Sequence, residues 1–487
     1  MINRHEILEF AREFGLAANV IEKDYTLGWL LSGINNHPDL RNDWVFKGGT
    51  CLKKCYFETY RFSEDLDFTL IEPVHLNADF LKNTFNRISE WIYDNTGIEI
   101  PKDLIQFELF NNPRGNPSCQ GRVAYRGPLQ NRGDLPRIKL DLTNDELLAL
   151  EPVFREVHHP YSDKPSNGIQ IKSYCFEEVF AEKVRALVER LRPRDLYDVI
   201  HLYRHDELKP DQSIILNTLG KKCAFKGVGV PTMEVLNKHS DRHELEMEWE
   251  NMLGHQLPAL PEFEQFWGEL PAVFDWLHGV AEKVSIPAIQ PRIGKGEEID
   301  TAWQPPSMAT SWNEYGSTPI EKIRFAAANR LCINLDYIDE HGRRSTRIIE
   351  PYSLRRIKTH KLLLYAVKHE TREDRSYRVD RIRGAEITKI SFDPKYLIEL
   401  TPAGESYIPP TTTRGISIAT MSKLPRMQRP RSKVYKLSNG PKYTFRCNVC
   451  GKRFTKKNYD ATLKPHKNKY KQQCYGSVGI YEGMKYS

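Results

Sequence analysis

Apolar residues recur at helix-compatible intervals over residues 5–14 and 20–35, where Val20, Tyr25, Leu27, Leu30 and Leu31 mark the second helix. Trp44-Val45-Phe46 is a short apolar run ending in Gly48-Gly49, which predicts a strand entering a tight turn. Phe68-Thr69-Leu70-Ile71 predicts a second strand, starting just after Asp65 and Asp67. Residues 76–97 place Leu76, Phe80, Leu81, Phe85, Ile88, Trp91 and Ile92 on one helical face. Residues 112–135 are rich in Gly, Pro, Asn and Arg and read as a loop or hairpin. Arg137-Ile138-Lys139-Leu140-Asp141-Leu142 alternates polar with apolar and predicts a third strand. An amphipathic helix follows over 176–192, stopped by Pro193, and another runs from about Asp195 to Arg204. Residues 213–283 are mostly helical, with Trp249, Phe266, Trp267, Phe274, Trp276 and Leu277 for a core.

Periodicity stops over 286–318, a Pro-, Ser- and Gly-rich linker. Residues 319–402 then change to short β runs: Cys332–Ile338, Arg347–Ile349, Leu362–Lys368, Tyr377–Val379 and Glu386–Ile390. Residues 403–440 read as a second linker, and 441–487 as a Cys-bearing module. Three folded regions suit a chain of 487 residues. The class expected is α+β: a small mixed sheet with helices and a helical second half, then a β domain, then a small module.

Composition narrows the setting. Hydrophobic content of 40% and charged content of 28% exclude wholesale disorder. No run of about 18 apolar residues occurs, so neither a spanning helix nor a membrane partner is expected. The N-terminus lacks a signal-peptide pattern, which makes the cytoplasm the expected compartment. Cys51, Cys55, Cys119, Cys175, Cys223 and Cys332 are scattered and read as buried thiols of a reducing compartment. The net charge of +7 hides an asymmetry: residues 403–487 hold 18 Lys/Arg against 3 Asp/Glu, a balance of +15 that leaves −8 for the rest. A basic tail on an acidic body fits polyanion binding and a solubilising tail equally well.

The candidate chemistry lies in Lys47-Gly48-Gly49-Thr50 and Arg61-Phe62-Ser63-Glu64-Asp65-Leu66-Asp67. A strand, a diglycine turn and a helix start leave backbone N–H groups free for phosphate oxygens, and the Thr50 hydroxyl adds a donor. Asp65 and Asp67 are two apart on extended chain, so both side chains point the same way and suit shared divalent ions. Asp141 is the best third carboxylate from another strand. Such a trio suits two metals, one activating an attacking hydroxyl and one stabilising a leaving pyrophosphate. Alone, an Asp-x-Asp usually marks a solvated strand end and a Gly-Gly a turn; the combination is much rarer.

These motifs resemble the first motif of the DNA polymerase β-like minimal nucleotidyltransferases, and more narrowly the AbiEii/AbiGii-type abortive-infection toxins. Ile21-Glu22-Lys23-Asp24-Tyr25 resembles that family's opening helix, Lys139-Leu140-Asp141 its second motif, and Glu182-Lys183 and Arg194-Asp195-Leu196-Tyr197-Asp198 its third and fourth. The resemblance covers roughly 1–285 and implies a nucleotidyltransferase domain. It implies Mg²⁺ (or Mn²⁺) on Asp65, Asp67 and Asp141, and an NTP held by Gly48, Gly49, Thr50 and Ser63. Lys183 would neutralise triphosphate charge, and Asp195 or Asp198 would position base, ribose or acceptor. A solvated helix face is nearly as good a reading of Lys183, and helix capping accounts for Asp195 more easily than for Asp198. Arg114, Arg122, Arg126, Arg132 and Arg137, interleaved with Tyr125, suit single-stranded nucleic acid or a polar loop equally.

Residues 319–402 resemble a WYL domain, which implies an SH3-like β-barrel. The resemblance rests on Ile333-x-x-x-Tyr337, Arg347 through Leu354, Leu362–Ala366 and Tyr377 through Ile382. Leu362-Leu363-Leu364 stands where the name-giving motif belongs. Arg347, Arg378 and Arg381 would line a nucleotide or nucleic-acid site, unless they pair with local acids around a core of Tyr352, Leu364 and Tyr365. In the last module Cys447-x₂-Cys450 is a knuckle, followed by His466 and Cys474, a four-ligand set for Zn²⁺. The spacing is not that of a two-Cys two-His finger. Tyr443, Phe445 and Phe454 would give a small core too weak without a metal staple. Lys452, Arg453, Lys456, Lys457, Lys464, Lys467, Lys469 and Lys471 would draw a phosphate backbone.

The expected function is Mg²⁺-dependent transfer of an NMP from an NTP to RNA, tRNA 3′ ends favoured. By resemblance the chain is a toxin of a toxin–antitoxin or phage-defence system, with a cognate antitoxin. The alternatives are a nucleotide-sensing, nucleic-acid-binding regulator without turnover, and a protein NMPylase.

Overall fold

Seven short runs build one mixed sheet, with alternating burial clearest in β5 and β7. Its strands are β1 (Trp44–Lys47), β2 (Asp65–Leu70), β3 (Ile105–Asn111), β4 (Pro117–Ala124), β5 (Arg137–Thr143), β6 (Val153–Glu156) and β7 (Gln170–Ser173), in the order β3-β4-β5-β2-β1-β7-β6. The β2–β5 and β1–β7 pairs are parallel and the others antiparallel. A computed structural model describes residues 1–14, 16–57, 60–130, 133–205, 210–239, 242–290, 297–303, 320–400, 442–456, 461–470 and 472–485. The linker expected over 403–440 lies outside them, as do Arg132, Lys457, Lys471 and much of the linker expected over 286–318. The chain divides into two compact units, Met1–Thr413 and Arg414–Ser487.

The helices are α1 (Arg4–Phe14), α2 (Ala18–Asn36), α3 (Gly48–Cys51), α4 (Ala78–Thr96), α5 (Phe176–Arg190), α6 (Pro193–Arg204), α7 (Gln212–Lys226), α8 (Met233–Asn237), α9 (Arg242–Leu253) and α10 (Phe263–Leu277). The α4 boundaries show the local logic. Asn77 accepts a hydrogen bond from the Phe80 N–H at the start, and Gly97 takes the left-handed conformation at the end. None of the described helices is long and apolar enough to cross a membrane. The six scattered cysteines are free and buried.

Three local expectations change. Strand β2 begins at Asp65, so the carboxylate pair sits on the strand rather than before it. Helix α5 ends at Arg190, short of the expected 192, where Leu191 caps it in the left-handed conformation at φ 42°. Pro193 then opens α6, where its missing N–H costs nothing. The hairpin expected over 112–135 is present, its turn at 112–116 and its second arm β4, with Cys119 and Val123 turned into the core. Tyr125 is fully buried and unavailable for stacking on a nucleobase.

A second sheet follows, with β8 (Leu331–Ile338), β9 (Arg344–Arg356), β10 (Leu362–Lys368), β11 (Asp374–Arg378) and β12 (Ile382–Ser391) in the order β11-β10-β9-β8-β12. All its pairs are antiparallel, an arrangement compatible with the SH3-like class. Tyr352, Leu364 and Tyr365 are core residues, and Arg378 pairs with Asp380. The helix Ile320–Ala328, which the sequence pattern did not announce, sends Ile320, Ile323, Ala326 and Ala327 into this domain's core. Its Phe325 enters the core of the first domain. Beside it, Asn329 accepts a hydrogen bond from the Tyr197 hydroxyl of α6 at 2.9 Å, and Arg330 pairs with Glu269 of α10 at 3.0 Å.

The second unit holds a three-stranded sheet, β14-β13-β17, from Lys442–Cys447 (β13), Arg453–Lys456 (β14) and Gly479–Lys485 (β17). A pair of two-residue strands, His466–Lys467 (β15) and Gln473–Cys474 (β16), lies beside it in sequence. Phe445, Leu463, Cys447 and Cys474 form its small core, with Phe454 against it. The Tyr443 side chain lies outside the described residues.

Candidate active site and metal centres

The register of three strands sets the candidate active site. In the β1–β2 pair Lys47 faces Asp67, and in the β2–β5 pair Asp67 faces Asp141 and Asp65 faces Lys139. Side chains at registered positions share a face of the sheet. Asp65, Asp67 and Asp141 therefore line one face, flanked by two lysines. Burial and the neighbouring Asp141 push the Asp67 carboxyl up to about 6. Burial raises Asp65 as well, with Asp141 adding to it. Three like-charged carboxylates on one face, two of them raised by burial, are what a divalent cation would relieve, so the donor set fits Mg²⁺ or Mn²⁺. They do not close into a single tight cage. Among the described residues, the groups that bring three or more ligand atoms within 4.8 Å of one another are two others, described below. A more open trio suits ions that take only one or two carboxylates each.

The diglycine turn is fitted against this face. Gly48 has φ +81°, and a Cβ there would come within 2.1 Å of the Asp67 carboxylate. A Cβ on Gly49 would meet the Arg61 guanidinium at 2.4 Å and the Ser63 hydroxyl at 3.3 Å. Thr50 is fully buried, and its hydroxyl bonds to Ser63 at 2.9 Å and to the Asp65 carbonyl. It ties the 61–65 segment to α3 instead of offering a free donor. After α3 the chain widens into a π-helical turn, Leu52–Tyr56, whose Lys54 is clamped by Asp24 of α2 at 2.7 Å. Lys23, on the same helix, reaches Glu64 at 2.7 Å. The Ile21-Glu22-Lys23-Asp24-Tyr25 segment thus braces both motifs.

Asp195 and Asp198 lie at the end of a buried cation network and are both fully buried. Asp198 accepts two bonds from Arg61, at 2.7 and 2.8 Å, pairs with Lys183 at 2.7 Å and takes the Tyr60 hydroxyl. The Arg61 and Lys183 charges hold its carboxyl well below the usual range against the cost of burial. Asp195 bonds Arg190 at 2.6 and 2.8 Å and lies 3.5 Å from Lys183; its side chain caps no helix. Lys183 is buried rather than solvated, and its charge reaches Asp67.

A residue without an assigned role in the motif reading, Arg194, stands out here. Burial and the nearby Arg61 lower its pKa, its charge reaches Asp65 and Glu64, and its Nε makes no hydrogen bond. The signal in the sequence was its place between Pro193 and Asp195, which gives no direction. In the loop region, Arg114 lies 3.5 Å from Asp145, Arg122 4.0 Å from Glu108, and Arg126 pairs with Glu99.

In the second unit Cys447, Cys450, His466 and Cys474 converge, with all four ligand atoms within 4.8 Å of one another. Cys447 Sγ lies 3.7 Å from Cys474 Sγ, and Cys450 Sγ lies 3.3 Å from His466 Nε2. Backbone N–H groups of Cys450 and Val449 pull the Cys447 thiol down to about 6. Gly476 is pressed so close that a Cβ would meet Cys447 Sγ at 2.4 Å. Three thiols and an imidazole with N–H···S support form a donor set that fits zinc.

Known proteins align with this picture. A WYL domain model matches residues 320–387. The chain is similar to MenT4, a nucleotidyltransferase toxin of Mycobacterium tuberculosis H37Rv, at 18% identity over 58% of this chain and 91% of that one, with a TM-score of 0.40. It is also similar to JHP933 of Helicobacter pylori, at 17% identity over 54% of this chain and 94% of that one, with a TM-score of 0.36. No curated protein sequence matches it. The model of the AbiEii nucleotidyl transferase toxins of type IV toxin–antitoxin systems matches residues 29–277, just over half of the chain. The chain therefore belongs to the AbiEii family of toxin nucleotidyltransferases.

Proposed function

We propose that this nucleotidyltransferase moves an NMP from an NTP to RNA, with tRNA 3′ ends as the favoured acceptor, in a Mg²⁺-dependent reaction restrained by a cognate antitoxin in the cytoplasm. The observation that carries the reading is the placement of Asp67 between Lys47 and Asp141 in register, with Asp65 on the same face. Asp65, Asp67 and Asp141 would hold the divalent cations. When bound, these ions lower the pKa of an attacking hydroxyl and shield a leaving pyrophosphate.

The chain's own groups do the rest. The appressed Gly48 and Gly49 let backbone N–H groups approach phosphate oxygens, and Ser63 stands beside them. Lys47, Lys183 and Arg194 supply cations for a triphosphate. Asp195 and Asp198 act through the cations they orient, and Thr50 through the loop it holds. In the second unit, zinc held by Cys447, Cys450, His466 and Cys474 would staple a module whose exposed Lys452, Lys464, Lys467 and Lys469 attract RNA backbone.

The test is incorporation of each radiolabelled NTP, with Mg²⁺, into total tRNA and into cell protein, wild type beside Asp67→Ala. Label in RNA that vanishes in the variant supports the reading. Label in protein redirects the mechanism to NMPylation. An NTP-dependent response that survives Asp67→Ala moves it to a regulator without turnover.

A further inference from the structure

We propose that the WYL domain carries a second zinc site, formed by Cys332, Glu350 and His369. The three come from three places in the sheet: Cys332 from β8, Glu350 from β9, and His369 from the turn just after β10. Their ligand atoms all lie within 4.8 Å of one another. His369 Nδ1 is 3.5 Å from Cys332 Sγ and 2.9 Å from Glu350 Oε1. In a tetrahedral zinc centre with bonds of about 2.0–2.3 Å, ligand atoms sit roughly 3.3–3.6 Å apart. Small adjustments of side chains already in place would bring the trio to that spacing.

Three groups of metal-ligating chemistry crowd one spot. Sulfur and carboxylate oxygen both face the same imidazole nitrogen, at 3.5 and 2.9 Å. Glu350 is fully buried, a costly position for a carboxylate unless it is paired. Its other oxygen accepts the Tyr352 hydroxyl at 2.9 Å, the kind of outer bond that fixes a metal ligand's orientation. Its positive partner is Arg372, whose side chain is half exposed on the β10–β11 turn. A metal ion binding here would displace that half-exposed guanidinium toward solvent. His369 is 31% exposed, so solvent reaches the site and supplies a fourth ligand. A sulfur, an imidazole and one carboxylate favour zinc over Mg²⁺ or Ca²⁺, which take oxygen ligands.

The position has a bearing on the enzyme. Cys332 lies three residues beyond Asn329, the acceptor of the Tyr197 hydroxyl on the helix that carries Asp195 and Asp198. An ion here would tie the strand leading from that contact to its neighbour β9.

The test is metal content of the full chain after incubation with zinc sulfate and removal of excess. Two equivalents are expected in wild type and one in Cys332→Ser. One is also expected in Cys447→Ser/Cys450→Ser, and two remain in Arg372→Gly, which loses the competing cation at a residue of φ +55°. With cobalt in place of zinc, the Cys447→Ser/Cys450→Ser chain should show a thiolate-to-cobalt absorption band that Cys332→Ser then abolishes. A single equivalent in wild type, insensitive to Cys332→Ser, overturns the site. So does absence of the cobalt band from the chain lacking the two knuckle cysteines.

Discussion

Asp67 on β2 and Asp141 on β5 are direct partners in a parallel strand pair, so two carboxylates stand side by side on one face of the sheet. Neighbouring strands are about 4.8 Å apart, and no rotation of the backbone can separate the two charges. The Lys47 charge on the other side offsets only part of the repulsion.

A stability–activity trade-off follows for Asp67. Burial and the Asp141 charge push its carboxyl up to about 6 from the ordinary 3.8, so protonation favours the folded state. That contribution is complete below pH 3.8 and lost as pH rises through about 6. Asp67→Asn should therefore melt higher than wild type at pH 8 in EDTA, by on the order of 1–2 kcal/mol after allowance for partial exposure. The gain should shrink toward zero near pH 4. Transfer should fall at least about a hundredfold. A variant less stable than wild type at pH 8 would contradict the crowding.

Gly48→Ala probes the close approach of the turn. The new Cβ would collide with the Asp67 carboxylate, and φ +81° adds about 1–2 kcal/mol of backbone strain. Thermal melting should show that modest loss, while transfer falls far more. Wild-type rates would mean that Asp67 is free to move aside.

Arg194 and Asp198 should behave oppositely. Arg194→Ala removes a cation whose Nε has no hydrogen bond, so stability should change little while KM for the NTP rises about tenfold or more. Asp198→Asn leaves Arg61 and Lys183 buried beside a neutral amide and should cost about 3–5 kcal/mol. The Asp198 pKa is lowered on folding, so its stabilisation is present above the unfolded value of 3.8 and lost as pH falls below it. Denaturant titrations at pH 7 and pH 3 should show the gap between wild type and Asp198→Asn closing in acid. An Asp198→Asn chain as stable as wild type would return Asp198 to a direct role in binding.

The second unit should make itself felt through salt. Filter binding of tRNA by the full chain and by a chain ending at Thr413 should differ in slope as well as affinity. Each phosphate contact surrendered lowers the slope of log K against log salt by about 0.7. Identical slopes would remove Lys452, Lys464, Lys467 and Lys469 from RNA docking.

Much of the site was legible because its chemistry is written in short motifs. Gly48-Gly49, Asp65-x-Asp67 and Cys447-x₂-Cys450 each place their groups by local geometry alone. Asp141 was readable one step further, as an acid in an alternating strand. What stayed hidden depends on long-range pairing. Nothing in sequence distinguishes Asp198 as a buried anchor from Asp198 as a ligand, since the difference is made by Arg61, far away in the chain. The Asp24–Lys54 clamp joins α2 to the turn after α3 and has no motif. Strands β6 and β7 are only four residues each, too short for alternation to register. Over 112–135 the hairpin half of the reading holds, but its second arm β4 shows its apolar positions only as Cys119, Val123 and Ala124 among polar neighbours, which gave no sign that Tyr125 is buried. Cys332, Glu350 and His369 are spaced by 18 and 19 positions in sequence and meet only through strand order.

The bond from Tyr197 to Asn329 means that the nucleotidyltransferase and WYL parts of this chain are not interchangeable cassettes. With Phe325 seated in the neighbouring core, a cut before Ile320 would strip a plug from the enzyme and orphan a buried phenol. A transplanted WYL domain would have to bring its own asparagine to that seam. The junction is thus a shared part, and neither side of the Tyr197–Asn329 bond can be replaced without the other.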